Sequence, residues 1–143
     1  LTFVGDLAAS NVGAVTGTSS LTPVGTNEVV TLTQGGSGLT GFTVTFGAQT
    51  TAPIDAAATG PDVQAALKAL TTIGVGNVSV VRTGASGSYV YTLTFAGSLS
   101  GSDVGAVTAT PAGGTGTVTP AVATPGVAGG VIAISVITEG GRP

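Results

Sequence analysis

A stretch of sixteen residues occurs twice in this chain of 143 residues. Leu1 to Thr16 returns as Leu93 to Thr108 at an offset of 92, and eleven of the sixteen positions are identical. Self-similarity at a fixed spacing indicates that the chain folds as repeated structural units. We therefore expect one complete unit flanked by partial units, as in a piece of a longer tandem array.

The repeat divides the chain into four parts. The tail of the chain carries ITEGG at Ile137–Gly141, which matches LTQGG at Leu32–Gly36, so it resembles the first strand of another unit. We expect that strand to pair, either across a homo-oligomer interface or along its own domain. The parts are 1–26, the C-terminal part of a preceding unit; 27–110, a complete unit; 111–130, an arm rich in Gly, Pro, Thr and Ala; and 131–143, a terminal strand and tail.

The segment 111–130 is longer than most connections between secondary-structure elements. Its composition fits an extended arm, and a hairpin with a poor pattern is the alternative. An arm of this length is able to cross to another subunit, so we favour the crossing arm.

Composition indicates a sheet protein without covalent staples. The chain has no Cys and no His, which leaves no disulfide and no thiolate or imidazole ligand for a structural zinc. Only 6% of its residues are charged, against about 25% in ordinary soluble domains. Thr and Val, which are abundant here, favour strands. A surface with so little charge is expected to associate readily.

The clearest strand pattern is GFTVTFG at 41–47. Phe42, Val44 and Phe46 alternate with threonines, which predicts one face towards a core and one towards water. Pro53 has no N–H for a ladder, so the segment ending at Ile54 is expected at an edge or a strand end. The segments with strand patterns are 27–36, 41–47, 50–54, 76–84, 89–95 and 104–110.

One helix is expected at about residues 60–72. Thr59 or Gly60 is its N-cap, and Pro61 and Asp62 suit the first turn. The spacing i, i+3, i+4, i+7 makes a single apolar stripe of Val63, Ala66, Leu67 and Leu70, with Gln64 and Lys68 facing out and Gly74 as the stop. The pattern therefore predicts an α+β, mostly β fold, in which an antiparallel sheet or sandwich is covered by one helix.

The charge distribution excludes two classes of partner. The net charge is −3, and the three cations, Lys68, Arg82 and Arg142, are far apart in sequence. Phosphate binding requires clustered cations, so no nucleic acid partner is expected. The longest apolar run, Val131–Ile134, is far shorter than the roughly 20 residues of a membrane span. No membrane insertion is expected.

The carboxylates do not form a recognisable catalytic or metal site. Asp55 and Asp62 flank the start of the helix, where a turn and a cap explain them better than an acid–base pair. Asp103 is Asn11 in the other copy, and Ser98 stands where that copy has Asp6, a change that suits turn residues and would break a calcium site. The six carboxylates are Asp6, Glu28, Asp55, Asp62, Asp103 and Glu139.

Other side chains also lack a catalytic context. Without His, no Ser–His–Asp triad can form. Tyr89 and Tyr91 could serve as a sugar-binding platform, but they share a face with Leu93 and Phe95, so core packing is the favoured interpretation. We expect no catalytic residue, no cofactor and no metal.

A family resemblance suggests a function. The segments FTVTFGAQTTAPI, DVQAALKALTTIGVGNVSVVRTG and YTLTFAGSLSGSDVGAVTAT resemble a repeat of about ninety residues in tail, capsid-decoration and other virion proteins of actinobacterial phages. Similar repeats occur in very large surface proteins of planctomycetes. The resemblance covers 27–110 and 1–16, and its most specific parts are TTAPI, DVQAAL and GxGNVSV. It implies an accessory, surface-displayed module without an enzymatic role.

The resulting hypothesis is a structural module of a phage tail fibre, tail appendage or capsid decoration, located in the virion. Its expected partners are copies of itself and other virion structural proteins, with host-surface glycans as a further candidate. The alternative is a stalk or adhesion repeat of a bacterial cell-surface protein, located at the cell surface or outside the cell. An enzyme is the least favoured class.

Overall fold

The structure, a computed structural model, describes residues 25–130. The expected partial unit at 1–24 and the terminal strand and tail at 131–143 lie outside these residues. Within them the fold is α+β and mostly β, with antiparallel sheets and one helix, as the sequence predicts. The elements are β1 (Val29–Gly35), β2 (Gly41–Phe46), β3 (Gln49–Thr50), β4 (Ile54–Asp55), α1 (Gly60–Lys68), β5 (Val78–Thr83), β6 (Val90–Phe95), β7 (Val107–Ala112) and β8 (Thr117–Thr124), with a 3-10 turn at Gly97–Leu99.

The strands form two sheets. One has the order β5-β6-β1-β8, and in the other β2 lies between β7 and the pair β3 and β4. Two aromatic pairs join the sheets: Phe46 contacts Phe95 with ring centroids 5.5 Å apart, and Phe42 contacts Tyr91 at 5.7 Å. The alternating apolar residues of β1, β2 and β6 thus face each other across one core, because side chains of a strand alternate between its two faces.

The strands β3 and β4 run along the same edge of β2, separated by three residues. Thr51, which is buried, bridges the gap: its N–H donates to Val44 O at 2.9 Å, and its Oγ1 accepts from Val44 N at 3.1 Å. Pro53 lies in this break, which agrees with the expected strand-end position. The side-chain oxygen of Thr51 therefore satisfies a backbone donor that the interrupted strand leaves without a backbone acceptor.

The helix begins where the sequence predicts. Thr59 is the N-cap, and it forms a capping box with Asp62, whose carboxylate accepts from Thr59 N at 2.8 Å and from Thr59 Oγ1 at 2.6 Å. These side-chain and backbone hydrogen bonds hold the pKa of Asp62 below its usual value. The cap therefore favours the ionised carboxylate at the positive end of the helix dipole.

The helix ends earlier than expected, at Lys68 instead of about residue 72. The i to i−4 hydrogen bonds are replaced by tighter ones, with Leu70 N bonded to Leu67 O and Ile73 N bonded to Leu70 O. Leu70 and Ile73 are both buried, so these turns continue to place apolar side chains in the core after the helix has ended. Gly74, the expected stop, has φ +73° and reverses the chain after these turns.

The helix covers the edge of β5. Gln64 Oε1 accepts from Val80 N at 2.9 Å, and a Cβ on Gly60 would lie 2.9 Å from Val80 O. The expectation that Gln64 faces outward is therefore wrong. Its side-chain oxygen binds a backbone N–H on the open edge of β5, so that N–H is not available for pairing with a strand of another chain.

The segment expected to be a crossing arm contains β8. This strand pairs with β1 of the same chain in seven residue pairs, from Thr117 opposite Gly35 to Thr124 opposite Val29, with one register shift before the last pair. That expectation is wrong for this part of the chain. Gly113 and Gly114, with φ +89° and +49°, turn the chain from β7 in one sheet to β8 in the other. Pro120 has no N–H, and an edge strand is where a sheet tolerates such a residue.

The described chain enters and leaves at the same pole of the sandwich. Residues Val29 and Thr124 are paired, and beyond them Thr26 and Val127 exchange two N–H to O hydrogen bonds of 2.9 Å. We call this the attachment pole; it includes 25–28, 97–105 and 125–129. The loops at the other ends of the strands, 36–40, 56–59, 84–89 and 113–116, form the distal pole.

Candidate functional site

The four carboxylates among residues 25–130 have structural partners. Asp62 belongs to the helix cap, Asp55 Oδ1 accepts from Ala57 N at 2.7 Å, and Asp103 Oδ1 accepts from Gly105 N at 3.0 Å. Asp55 and Asp103 thus close the same kind of turn at opposite poles. Residues 25–130 hold no group of three or more His, Cys, Asp or Glu side chains that would bind a metal ion. Asp6 and Glu139 lie outside this range.

Glu28 has a role that the sequence analysis missed. Its side chain is 2% exposed, and its Oε2 accepts from Val104 N at 2.9 Å. The neighbouring Asn27 accepts through Oδ1 from Ser100 Oγ and Gly101 N. The incoming chain is therefore anchored to loop 97–105, which belongs to the stretch that occurs twice in the sequence. The alternation of the strand was the signal that could have shown its burial, because Glu28 falls on the same face as Val30 and Leu32.

The two tyrosines occupy different environments. Tyr91 is completely buried in the core; its hydroxyl donates to Ala58 O at 2.8 Å, and burial raises its pKa. The ring of Tyr89 is half-buried, with the guanidinium carbon of Arg82 4.2 Å from its centroid. Arg82 Nη1 also donates to Ala57 O and Ala58 O. The tyrosines therefore do not form an open platform for stacking a sugar ring.

A cavity of about 390 Å³ opens at the distal pole. The β1–β2 loop, the start of the connection from β4 to α1 and the turn between β5 and β6 form its walls. Gln34 lies in its wall and is 3% exposed. The sequence analysis did not single out Gln34, although it falls on the buried face of β1 by parity.

The lining of this cavity includes one ionisable side chain, Asp55, and no cation.

No helix within residues 25–130 has the length and apolar character to cross a bilayer.

We expect a chelator to leave thermal stability unchanged. The described carboxylates close turns, cap a helix or bind a backbone N–H, so we expect none of them to hold a metal that contributes to the folding free energy. Thermal melts of the full chain with and without EDTA, followed by circular dichroism, measure this. A lower melting temperature in EDTA that calcium restores would contradict the assignment.

Comparison with known proteins adds no relative: no family model matches the sequence, and neither a curated protein nor a solved structure matches it.

Proposed function

We propose that this chain is a structural, surface-displayed module of a virion protein, in a phage tail fibre, tail appendage or capsid decoration. The observation that carries the proposal is that the described chain enters and leaves the unit at one pole, in a chain whose sequence repeats. Thr26 and Val127 are hydrogen-bonded neighbours, so a repeat array holds each unit by one end and leaves the distal pole free. The virion location rests on the family resemblance alone.

The mode of attachment disfavours the alternative, a stalk or adhesion repeat of a bacterial surface protein. A stalk transmits tension through each unit. Tension applied at Thr26 and Val127 would first break the hydrogen bonds between these two residues and then separate β1 from β8 one residue pair at a time, from Val29 and Thr124 onward. A single hydrogen bond contributes only about 0.5–1.5 kcal/mol net. The seam between β1 and β8 therefore resists little force when its residue pairs are loaded one after another. A display module carries no such load.

The partners in this proposal are copies of the chain and other virion structural proteins, without nucleic acid and without insertion into a membrane. The module has no enzymatic role. The low charge of the chain supports self-association, because few repulsive charges oppose contact between copies.

Fractionation tests the location. Particles and cell envelopes purified from the same lysate are analysed by quantitative mass spectrometry for peptides of this chain. The proposal predicts peptides that copurify with particles at a constant ratio to the other particle proteins. Enrichment in the envelope fraction, with none in particles, would support the adhesion repeat instead.

Truncation after Gly130 tests self-assembly. The eight strands that the structure describes all lie before this point, so we expect the circular dichroism spectrum to be retained. We expect the oligomeric mass measured by light scattering to fall, because the removed Val131–Thr138 resembles the opening strand of a unit and, in this proposal, pairs across a homo-oligomer interface and not along its own domain. An unchanged oligomeric mass would show that this segment does not hold copies together.

A further inference from the structure

The cavity at the distal pole is large enough to hold a small molecule. Its volume of about 390 Å³ lies within the range of about 300–1,000 Å³ that is usual for small-molecule sites. It lies at the pole opposite the attached chain ends, where a displayed module meets its surroundings. The inference deepens the proposed function, and it rests on that function only for the expectation that the distal pole faces the surroundings.

Gln34 presents an unused acceptor to the cavity. Its Nε2 donates to Ala56 O at 2.8 Å and its backbone N–H donates to Tyr89 O, but its Oε1 bonds to no other described residue. Gln34 is 97% buried and lines the cavity, so the cavity is the open space beside its side chain. A buried glutamine with a free acceptor favours a ligand that donates hydrogen bonds.

Asp55 supplies a second acceptor. Its Oδ1 is occupied by Ala57 N, while its Oδ2 makes no hydrogen bond to a described residue. The hydroxyl groups of Ser37, Thr40 and Ser86 complete a polar wall that both donates and accepts.

The same wall disfavours other ligand classes. An anion would meet the carboxylate of Asp55 without a cation, because the guanidinium of Arg82 is held on backbone carbonyls outside the lining. A calcium ion takes six to eight oxygen ligands, and one carboxylate supplies too few strong ones. Leu39 is the only apolar side chain of the lining that is larger than Ala, so an apolar ligand would meet a single large aliphatic group.

We propose that this cavity binds one sugar residue of a neutral glycan, with the sugar hydroxyls donating to Gln34 Oε1 and Asp55 Oδ2.

Amide chemical shifts of the full chain test the site. The probes are methyl α-mannoside, methyl α-glucoside and methyl β-galactoside, with N-acetylneuraminic acid and inorganic phosphate as anionic comparisons. We expect saturable shifts with at least one neutral glycoside at millimolar concentration, confined to residues 36–40, 55–57 and 86–87. Loop 97–105 at the attachment pole should not respond.

A matched pair of variants tests the chemistry. Asp55→Ala and Asp103→Ala each remove a carboxylate that accepts an N–H two residues later, at 2.7 Å and 3.0 Å. Because a hydrogen bond to a charged group contributes about 1.5–3 kcal/mol, Asp55→Ala should weaken binding about tenfold or more, and Asp103→Ala should not weaken it. Ser86→Trp, at an exposed turn residue of the cavity, should also abolish the shifts while leaving the Asp55 turn intact.

The inference is overturned if no neutral glycoside shifts the distal amides, if phosphate or the acidic sugar shifts them equally, or if both Ala variants bind alike. Particle fractionation does not depend on sugar binding, so failure of this inference leaves the virion module standing.

Discussion

Replacing Leu67 by Asp is expected to abolish the cooperative unfolding transition of the unit. Leu67 is 1% exposed and lies on the only helix within residues 25–130, where it packs into the core between the sheets. Loss of a buried Leu costs about 2–5 kcal/mol, and burial of an unpaired carboxylate adds more. Since a domain of this size is stable by about 5–15 kcal/mol, the variant should populate the unfolded state at room temperature. Circular dichroism melts measure the loss.

Ala65→Asp is the control for this variant. Ala65 lies two residues earlier on the exposed face of the same helix, so it introduces the same residue type into the same element. It should cost well under a third of the Leu67→Asp effect, mostly through lower helix propensity. If both variants melt within a few degrees of the parent chain, the helix is not packed on the core as described.

Phe95→Ala is expected to have the second largest effect, a loss of about 3–5 kcal/mol in the free energy of unfolding. Phe95 is fully buried on β6, and its ring stacks on Phe46 of β2 at 5.5 Å, so the change removes a contact that joins the two sheets. Urea titration with an unchanged m-value would measure this loss.

Val81→Ala is its control. Val81 is 60% exposed on β5, so its truncation should change stability by less than about 0.5 kcal/mol. Equal losses in the two variants would contradict the sandwich, because the core would then not lie between β6 and β2.

The sequence predicted those elements whose residues follow a strong local pattern. Phe42, Val44 and Phe46 alternate without interruption, and β2 is the central strand of its sheet, so burial reinforces the pattern. Thr59 and Asp62 carry a capping signal that depends on local geometry alone. These elements agree with expectation because neighbours in sequence determine them.

The strand β8 could not be predicted in this way. Of its eight residues only Val118 is buried, because β8 lies at the edge of its sheet and bonds to β1 on one side only. An edge strand needs little apolar alternation and tolerates Pro120, so its sequence is similar to that of a linker.

The distal cavity was missed for a related reason. It depends on Gln34, which parity assigns to a buried face, and on loops that approach it from distant parts of the chain. Sequence pattern indicates that Gln34 is buried, but it does not show that one atom of its amide has no partner among residues 25–130. That information appears only when the hydrogen bonds of Gln34 and Ala56 are known.

Single-molecule force measurement tests the central claim, that the unit is held by one pole and is not built to carry tension. The chain has no Cys, so handles can be attached at introduced cysteines on exposed sites. Thr26→Cys with Ala128→Cys loads the seam between β1 and β8 from one end, while Thr26→Cys with Ser86→Cys loads the pairing of β1 and β6 along the strands. We predict a lower unfolding force in the first geometry, where residue pairs separate one at a time. Equal forces, or a higher force in the first geometry, would contradict attachment by one pole and favour a load-bearing stalk.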